Sequence, residues 1–346
     1  MTTINRRNAG IAIAAALAMG FGLAAGSAKA QDAASFFEGK TIKIIVGYGP
    51  GGGFDSYARM LAPHLEKSFG TTVIVENRPG GGGLSALNQL VRDSDGGAEI
   101  MLLHGEAAVL AQVVEKEGVT FDLTKVNFLG RVQSEPRVIL VSANSPYRSL
   151  KDLLASDRPI KFAAGGRTDG IGDVTTTLCE GLGLNCQLIT GYKGSKEASL
   201  AAISGEADAM TITESSSKSI SQGGKMIPVG TLDQERGALF PDLPTVFEQV
   251  DLPDDKAWWI EFRSGIAKIG RTLVTGPDVP EDRVEYLREK IKAVLTDPAV
   301  MEEGAKTKRD VRYEAPAATV KFVKEVLGSL EGEQLAAVRH VLLEKY

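Results

Sequence analysis

The chain has 346 residues, 43% hydrophobic and 24% charged, with 39 Lys+Arg against 44 Asp+Glu and a formal charge of −5. That balance excludes a polyanion binder, so neither nucleic acid nor an anionic membrane surface is an expected partner. The length exceeds what one hydrophobic core ordinarily fills, and two lobes are expected.

At the N-terminus, Arg6 and Arg7 precede a small-residue apolar run from Ile11 to Ala25 that closes on Ala28-Lys29-Ala30. This predicts a signal peptide over residues 1–30, cleaved near Ala30, and a periplasmic mature protein. Asn8-Ala9-Gly10 after the arginine pair favour ordinary secretion over the twin-arginine route, and no cysteine lies near the cleavage site to carry a lipid. Losing Arg6, Arg7 and Lys29 leaves 36 Lys+Arg against 44 Asp+Glu, a formal charge of −8. A small anion must then be held by local dipoles instead of by the overall field.

From Thr41 the chain alternates strand-like and helix-like stretches: TIKIIVG, DSYARMLAPHLEKSFG, TTVIVEN, LSALNQLVRD and EIMLLHG. Such alternation predicts parallel strands joined by crossover helices. In the first helix Tyr57, Met60, Leu61 and Leu65 share one apolar face, Gly70 marks the C-terminal stop, and Pro63 predicts a bend or break. A second set begins at Arg137 with VILVSAN and continues through IKFAAGG, a helix near 174–181, CQLITGY, a helix near 196–204 and DAMTIT. MIPVGT at 226–231 is again strand-like, and from Arg283 onward the pattern is helical. The fold class is therefore α/β, with two lobes each built on a mostly parallel sheet. Residues 31–132 plus 228–346 are assigned to the first lobe and 133–227 to the second, with a ligand cleft between them. Cys179 and Cys186 are the only cysteines; in an oxidising compartment they can pair only with each other, and their short spacing leaves a disulfide open.

The most informative stretch is GYGPGGGFDSYAR, residues 47–59. A phosphate-binding P-loop needs Gly-Lys-Ser/Thr at its end, yet Gly53 is followed by Phe54-Asp55. A dinucleotide fingerprint finds Gly47, Gly49, Gly52 and Glu76 near its spacing, but Pro50 interrupts it. A bare strand-to-helix turn with Asp55 or Ser56 as N-cap accounts for fewer glycines than are present. The remaining reading is a nest of backbone N–H groups at a helix N-terminus, where the dipole favours a carboxylate without any lysine or arginine.

Residues 47–83 resemble the opening of the tripartite tricarboxylate transporter substrate-binding receptors, the Bug receptors. Members carry a P-G-G-x-x-D loop, here Pro50 to Asp55, and a strand ending V-x-N-x-P-G-x-G, here Val75 to Gly82. GYKGSKEASLAAISGEADA (191–209), FPDLPTVFEQ (240–249) and GPDVPEDRVEYLREKIKAVLTDPAV (276–300) extend the resemblance over essentially the whole mature chain. It implies a two-lobe periplasmic binding protein that closes on a small organic acid and delivers it to a membrane permease. It implies neither enzyme activity nor a cofactor, and a monomer is expected.

The resemblance also implies that backbone amides and ordered waters grip one carboxylate. The first loop maps onto Tyr48, Pro50, Gly51, Gly52, Gly53, Phe54 and Asp55. The second maps onto the 165–173 loop, with Gly166, Arg167, Thr168, Asp169, Gly170 and Asp173 as candidates. Many relatives open the following helix with histidine, whereas Gly172, Asp173 and Val174 stand here. A third segment maps onto Thr213, Glu214 and Ser215. Glu214 near the ligand keeps open a second reading, a non-carboxylate or amine-bearing ligand feeding a sensor. Tyr48 and Phe54 are candidates to pack against the ligand skeleton, and Asn77 and Ser85 to add hydrogen bonds. No metal site is expected: His64, His104 and His340 lie in no zinc-binding or hydrolase context, and no nucleophile stands out. Trp258-Trp259 read as core.

Overall fold

The computed structural model describes residues 33–346; the expected leader and its cleavage site lie outside the described residues. The chain first forms β1 (Ile42–Val46), β2 (Val73–Asn77), β3 (Glu99–His104) and β4 (Asn127–Gln133), interleaved with α1 (Gly53–Phe69), α2 (Leu84–Arg92) and α3 (Gly105–Val113). It then passes into β5 (Arg137–Ser142), β6 (Ile160–Ala163), β7 (Cys186–Ile189), β8 (Ala209–Thr213) and β9 (Met226–Leu232). Among these lie α4 (Gly172–Leu182), α5 (Ser195–Ser204) and α6 (Glu214–Ser221). It returns through α7 (Asp254–Ile266) to β10 (Arg271–Thr275) and ends in α8 (Glu281–Leu295), α9 (Pro298–Lys306), α10 (Pro316–Leu327) and α11 (Gly332–His340).

The two five-stranded sheets have matching orders, β2-β1-β3-β10-β4 and β7-β6-β8-β5-β9. In each, four strands run one way and one is reversed: β10 is antiparallel to β3 and β4, and β5 to β8 and β9. The mostly parallel sheets expected from the alternating pattern are present. Each reversed strand is the one delivered by a crossing between lobes. A chain leaving the C-terminal edge of one sheet enters the other at the same edge and must run away from it, so β5 and β10 both begin at the cleft. The sequence reading divided β9 at residue 228; it pairs with β5 from Met226 to Leu232, so the return to the first lobe falls after Leu232.

Helix α1 runs unbroken past Pro63, and Gly70 at φ 70° closes it by donating its N–H to Glu66 O, the left-handed stop that glycine adopts without strain. Its Tyr57, Leu61 and Leu65 pack on the first sheet beside Val284, Leu287 and Ile291 of α8. Each such buried side chain contributes roughly 1.5–3 kcal/mol. On the second sheet, Val174 and Leu178 of α4 cover one face and Ala198 and Ala202 of α5 the other. Helix α7 joins the lobes: Trp259 and Ile266 pack into the first lobe, Ile260 into the second. Cys179 and Cys186 are bonded, tying α4 to β7 and resolving the question their spacing left open.

Candidate functional site

Loops at the C-terminal edges of the parallel strands meet between the lobes, where α/β sheets place ligands. A cavity of ≈ 40 Å³ lies there, walled by Tyr48, Gly52, Gly53, Phe54, His104 and Arg271 from the first lobe and by Arg137, Gly170, Ile171, Ser195, Ile212, Thr213 and Ser216 from the second. Residues of both lobes thus face one another around a narrow space.

The first glycine loop is braced from outside the cavity. Asp55 accepts from Gly51 N–H at 2.8 Å and from Arg59 Nε and Asn77 Nδ2 at 3.0 Å; Asn77 Nδ2 also donates to Tyr48 O at 3.0 Å. Burial opposes ionisation of Asp55, but these donors outweigh it and hold the carboxyl below its ordinary range. With Gly52 as N-cap, the helix geometry leaves the N–H groups of Gly53, Phe54 and Asp55 without intrahelical acceptors. A Cβ on Gly53 would lie 2.4 Å from Ser216 Oγ and 3.2 Å from Arg271 Nη2, so only glycine leaves this space open.

The loop that closes over this one is Gly191–Ser195, the start of a stretch quoted above for its resemblance. Gly49 N–H donates to Lys193 O at 2.7 Å, and Gly52 lies against Ser195. Thus the N-termini of α1 and α5, one from each lobe, meet on a shared wall, and both dipoles present their positive ends.

The 165–173 loop, expected to present free amides, has three of them occupied by its own aspartate. Asp169 Oδ1 accepts from Gly172 N–H at 2.6 Å and from Ile171 N–H at 3.2 Å, and Oδ2 accepts from Gly165 N–H at 2.9 Å. Burial raises its pKa to about 6, the amide donors offsetting part of the rise. Asp173 turns from the cleft to Arg263, which donates through Nε at 3.0 Å and Nη2 at 2.9 Å. Thr168 accepts from Lys116 Nζ at 2.5 Å across the lobes, while Gly166 and half-buried Arg167 stand outside the cavity wall.

Buried charges back the cavity. Glu106, in the first turn of α3, pairs with Arg137 and, at 2.8 Å, with Arg263 Nη2. Burial opposes its ionisation, but the two guanidiniums prevail and hold it far below the usual carboxylate range. Arg137 Nη2 also donates to His104 Nε2 at 2.9 Å. Arginine offers no acceptor, so Nε2 carries the lone pair and the neutral ring has its proton on Nδ1, which donates to Tyr48 Oη at 3.1 Å. Burial accordingly lowers the His104 pKa. Arg271 pairs with Glu135, donates to Thr213 Oγ1 at 3.0 Å and stacks over Tyr57, its Cζ 4.5 Å from the ring centroid. The Nε atoms of Arg137 and Arg271 are buried without hydrogen-bond partners among the described residues.

Of the residues expected at the site, Tyr48, Gly52, Gly53, Phe54, Gly170 and Thr213 line this cavity, and Gly51 and Ser215 line an adjoining one. Pro50 and Ser85 are exposed. Glu214 points to the interlobe connection, where Oε1 accepts from Leu239 N–H at 2.8 Å and Phe240 N–H at 3.2 Å. The sequence reading missed Arg137, Arg271 and His104. Their signal was positional: each arginine opens a strand directly after an interlobe crossing, and His104 ends β3.

The family model for the tripartite tricarboxylate transporter family receptor matches residues 57–331. A UPF0065 protein of Bordetella pertussis is 27% identical over 286 residues, 81% of this chain and 83% of that protein. Among solved structures, the periplasmic binding protein BugD superposes with a TM-score of 0.75 at 23% identity, covering 88% of this chain and 99% of its own. Rpa4515 of R. palustris, solved with adipate, superposes with a TM-score of 0.73 at 17% identity, covering 86% and 97%. The fold is thus that of the two-lobe periplasmic binding proteins, and the chain belongs to the tripartite tricarboxylate transporter receptor family, which consists of solute-binding proteins and not of enzymes.

Proposed function

We propose that this protein is an exported receptor that captures a small organic carboxylate between its lobes and hands it to a tripartite tricarboxylate-type membrane transporter. The observation that carries this reading is the α1 N-terminus. Free amides of Gly53 and Phe54 border an interlobe cavity, with Arg271 beside them in the same lobe and Arg137 on the opposite wall. Amide dipoles and two arginines with unpartnered Nε atoms together favour an anion over an amine. Glu214, the residue that favoured an amine-bearing ligand, is engaged at the interlobe connection instead. Family membership supports the transporter, the arginine-led apolar leader supports export, and the adipate held by a structural relative supports the ligand class.

Closure follows from the geometry. The acid docks on the α1 amides in the open form; the second lobe then brings Arg137, Ser195 and Thr213 onto it, and water is expelled. The test is calorimetric titration with a panel of mono-, di- and tricarboxylates and amino acids. A carboxylate that binds the wild type and is lost in Gly53→Val, whose side chain enters the cavity, supports the reading. Tight carboxylate binding that survives Gly53→Val, or binding of amines alone, overturns it.

A further inference from the structure

The buried charges around the interlobe cavity are already matched. Arg137 and Arg263 share Glu106, Arg263 also pairs with Asp173, and Arg271 pairs with Glu135; Asp169, held by backbone amides, adds a further carboxyl. A carboxylate that enters therefore brings a negative charge for which no buried cation is left over among the described residues, and such a charge is costly unless it is compensated. His104 lines the cavity and is the one side chain on its wall whose charge changes near neutral pH. Tyr48 Oη lies 3.1 Å from its Nδ1, while Arg137 Nη2 at 2.9 Å and Glu106 Oε2 at 3.7 Å lie by its Nε2. Gly170 of the opposite lobe stands against the ring, next to Asp169 and with Asp173 behind; Arg263 approaches from α7 and Arg271 from β10, the sheet partner of His104. The ring is thus faced by the acids Glu106, Asp169 and Asp173, by the cations Arg137, Arg263 and Arg271, and by Tyr48, which burial keeps neutral.

We propose that His104 takes up a proton when a carboxylate binds, so that this receptor captures its ligand together with one proton. This inference rests on the carboxylate reading above and adds to it a coupling between binding and protonation. As the site stands, the Arg137 guanidinium occupies the Nε2 lone pair, and burial holds the ring neutral. A carboxylate drawn to Arg137 takes that donor away, and Nε2 accepts a proton from solvent. The new Nε2–H donates to Glu106, Nδ1–H still donates to Tyr48 Oη, and the Tyr48 hydroxyl hydrogen turns to the ligand. One negative and one positive charge enter together, so the buried balance is kept. Asp169 is the competing acceptor, but it does not line the cavity, and its oxygens hold three amide N–H groups that favour the ionised form. The bound state then carries the higher His104 pKa. Affinity is full below the ligand-free value and falls, by up to about tenfold per pH unit, as pH rises toward the ligand-bound value.

The experiment is calorimetry on the mature protein at pH 7, in buffers of different ionisation enthalpy, with the tightest binder among acetate, benzoate, succinate and adipate, acids already ionised at that pH. The expected result is an enthalpy that varies with the buffer and reports proton uptake by the protein, approaching one proton per ligand. His104→Gln removes the uptake whatever its affinity, and Asp169→Asn retains it. Should His104→Gln fail to fold, a second measurement decides: in His64→Gln/His340→Gln, His104 is the only histidine left, and its ring resonances titrate at a higher pH with ligand than without. Binding with no buffer dependence overturns the proposal and leaves the carboxylate reading intact. So does uptake that survives His104→Gln and vanishes in Asp169→Asn, or a His104 titration that ligand does not move. Failure of all four acids to bind overturns both.

Discussion

Arg137 and Arg271 occupy equivalent positions in the two lobes, and each reaches across the cleft to the residue that ends the central strand of the other lobe. Arg137, first residue of the reversed strand β5, donates to His104 at the end of β3; Arg271, first residue of the reversed strand β10, donates to Thr213 at the end of β8. The matching sheet orders make this reciprocity a consequence of topology. Two buried cations thus serve both the ligand wall and the closed lobe contact.

Arg137 shares Glu106 with Arg263, all three side chains being buried, so removing it leaves that carboxylate undercompensated. Arg137→Met is expected to cost about 3–5 kcal/mol in urea-induced unfolding, the usual loss when one partner of a buried pair is deleted. Adding Glu106→Gln to Arg137→Met should recover part of that loss. Strict additivity of the two substitutions is the result that contradicts the coupling.

Closure depends on the absence of a side chain at Gly170, because a Cβ there would stand 1.3 Å from His104 Cε1 in the opposite lobe. Gly170→Ala should leave each lobe folded and block their approach. The expected outcome is a ligand-free melting temperature within a few degrees of wild type and carboxylate affinity reduced at least tenfold. Small-angle scattering should show no compaction on adding ligand.

Asp169 titrates at about 6 when folded, against an ordinary value of 3.8, chiefly because it is buried. Between these values the folded state binds more protons than the unfolded state. Stability therefore falls as pH rises from about 4 to about 6 and is flat above, with an amplitude on the order of 3 kcal/mol. Denaturant titrations across that window should show the slope in wild type and lose it in Asp169→Asn. An unchanged slope in the variant rules Asp169 out as its source.

The Cys179–Cys186 bond closes a loop of sequence separation 7. Chain-entropy arguments give it about 2.5 kcal/mol through restriction of the unfolded state. The Cys179→Ala/Cys186→Ala variant should lose about that much in equilibrium unfolding. Because the bond ties the far end of α4 to β7, ligand affinity should change less than twofold.

The sequence by itself determined the secondary structure and the kind of site. Short β-branched apolar runs alternating with helical faces dictated βα units, Gly70 dictated where α1 stops, and the glycines of 47–53 announced an amide-lined helix N-terminus, because these are local constraints that neighbouring residues satisfy among themselves. Which loop opposes that N-terminus was a tertiary matter. The 165–173 loop has the right composition, yet Asp169 consumes three of its amides, and Gly191–Ser195 closes the cleft instead. Arg137, His104 and Arg271 carried no local signature, since an arginine at the start of a strand becomes a cavity wall only once an interlobe crossing reverses that strand. Glu214, suspicious in one dimension, is satisfied by Leu239 and Phe240, residues 25 and 26 positions away. Long-range pairing of charges in a dry interior depends on how two lobes meet, and that relation exists only in the folded chain.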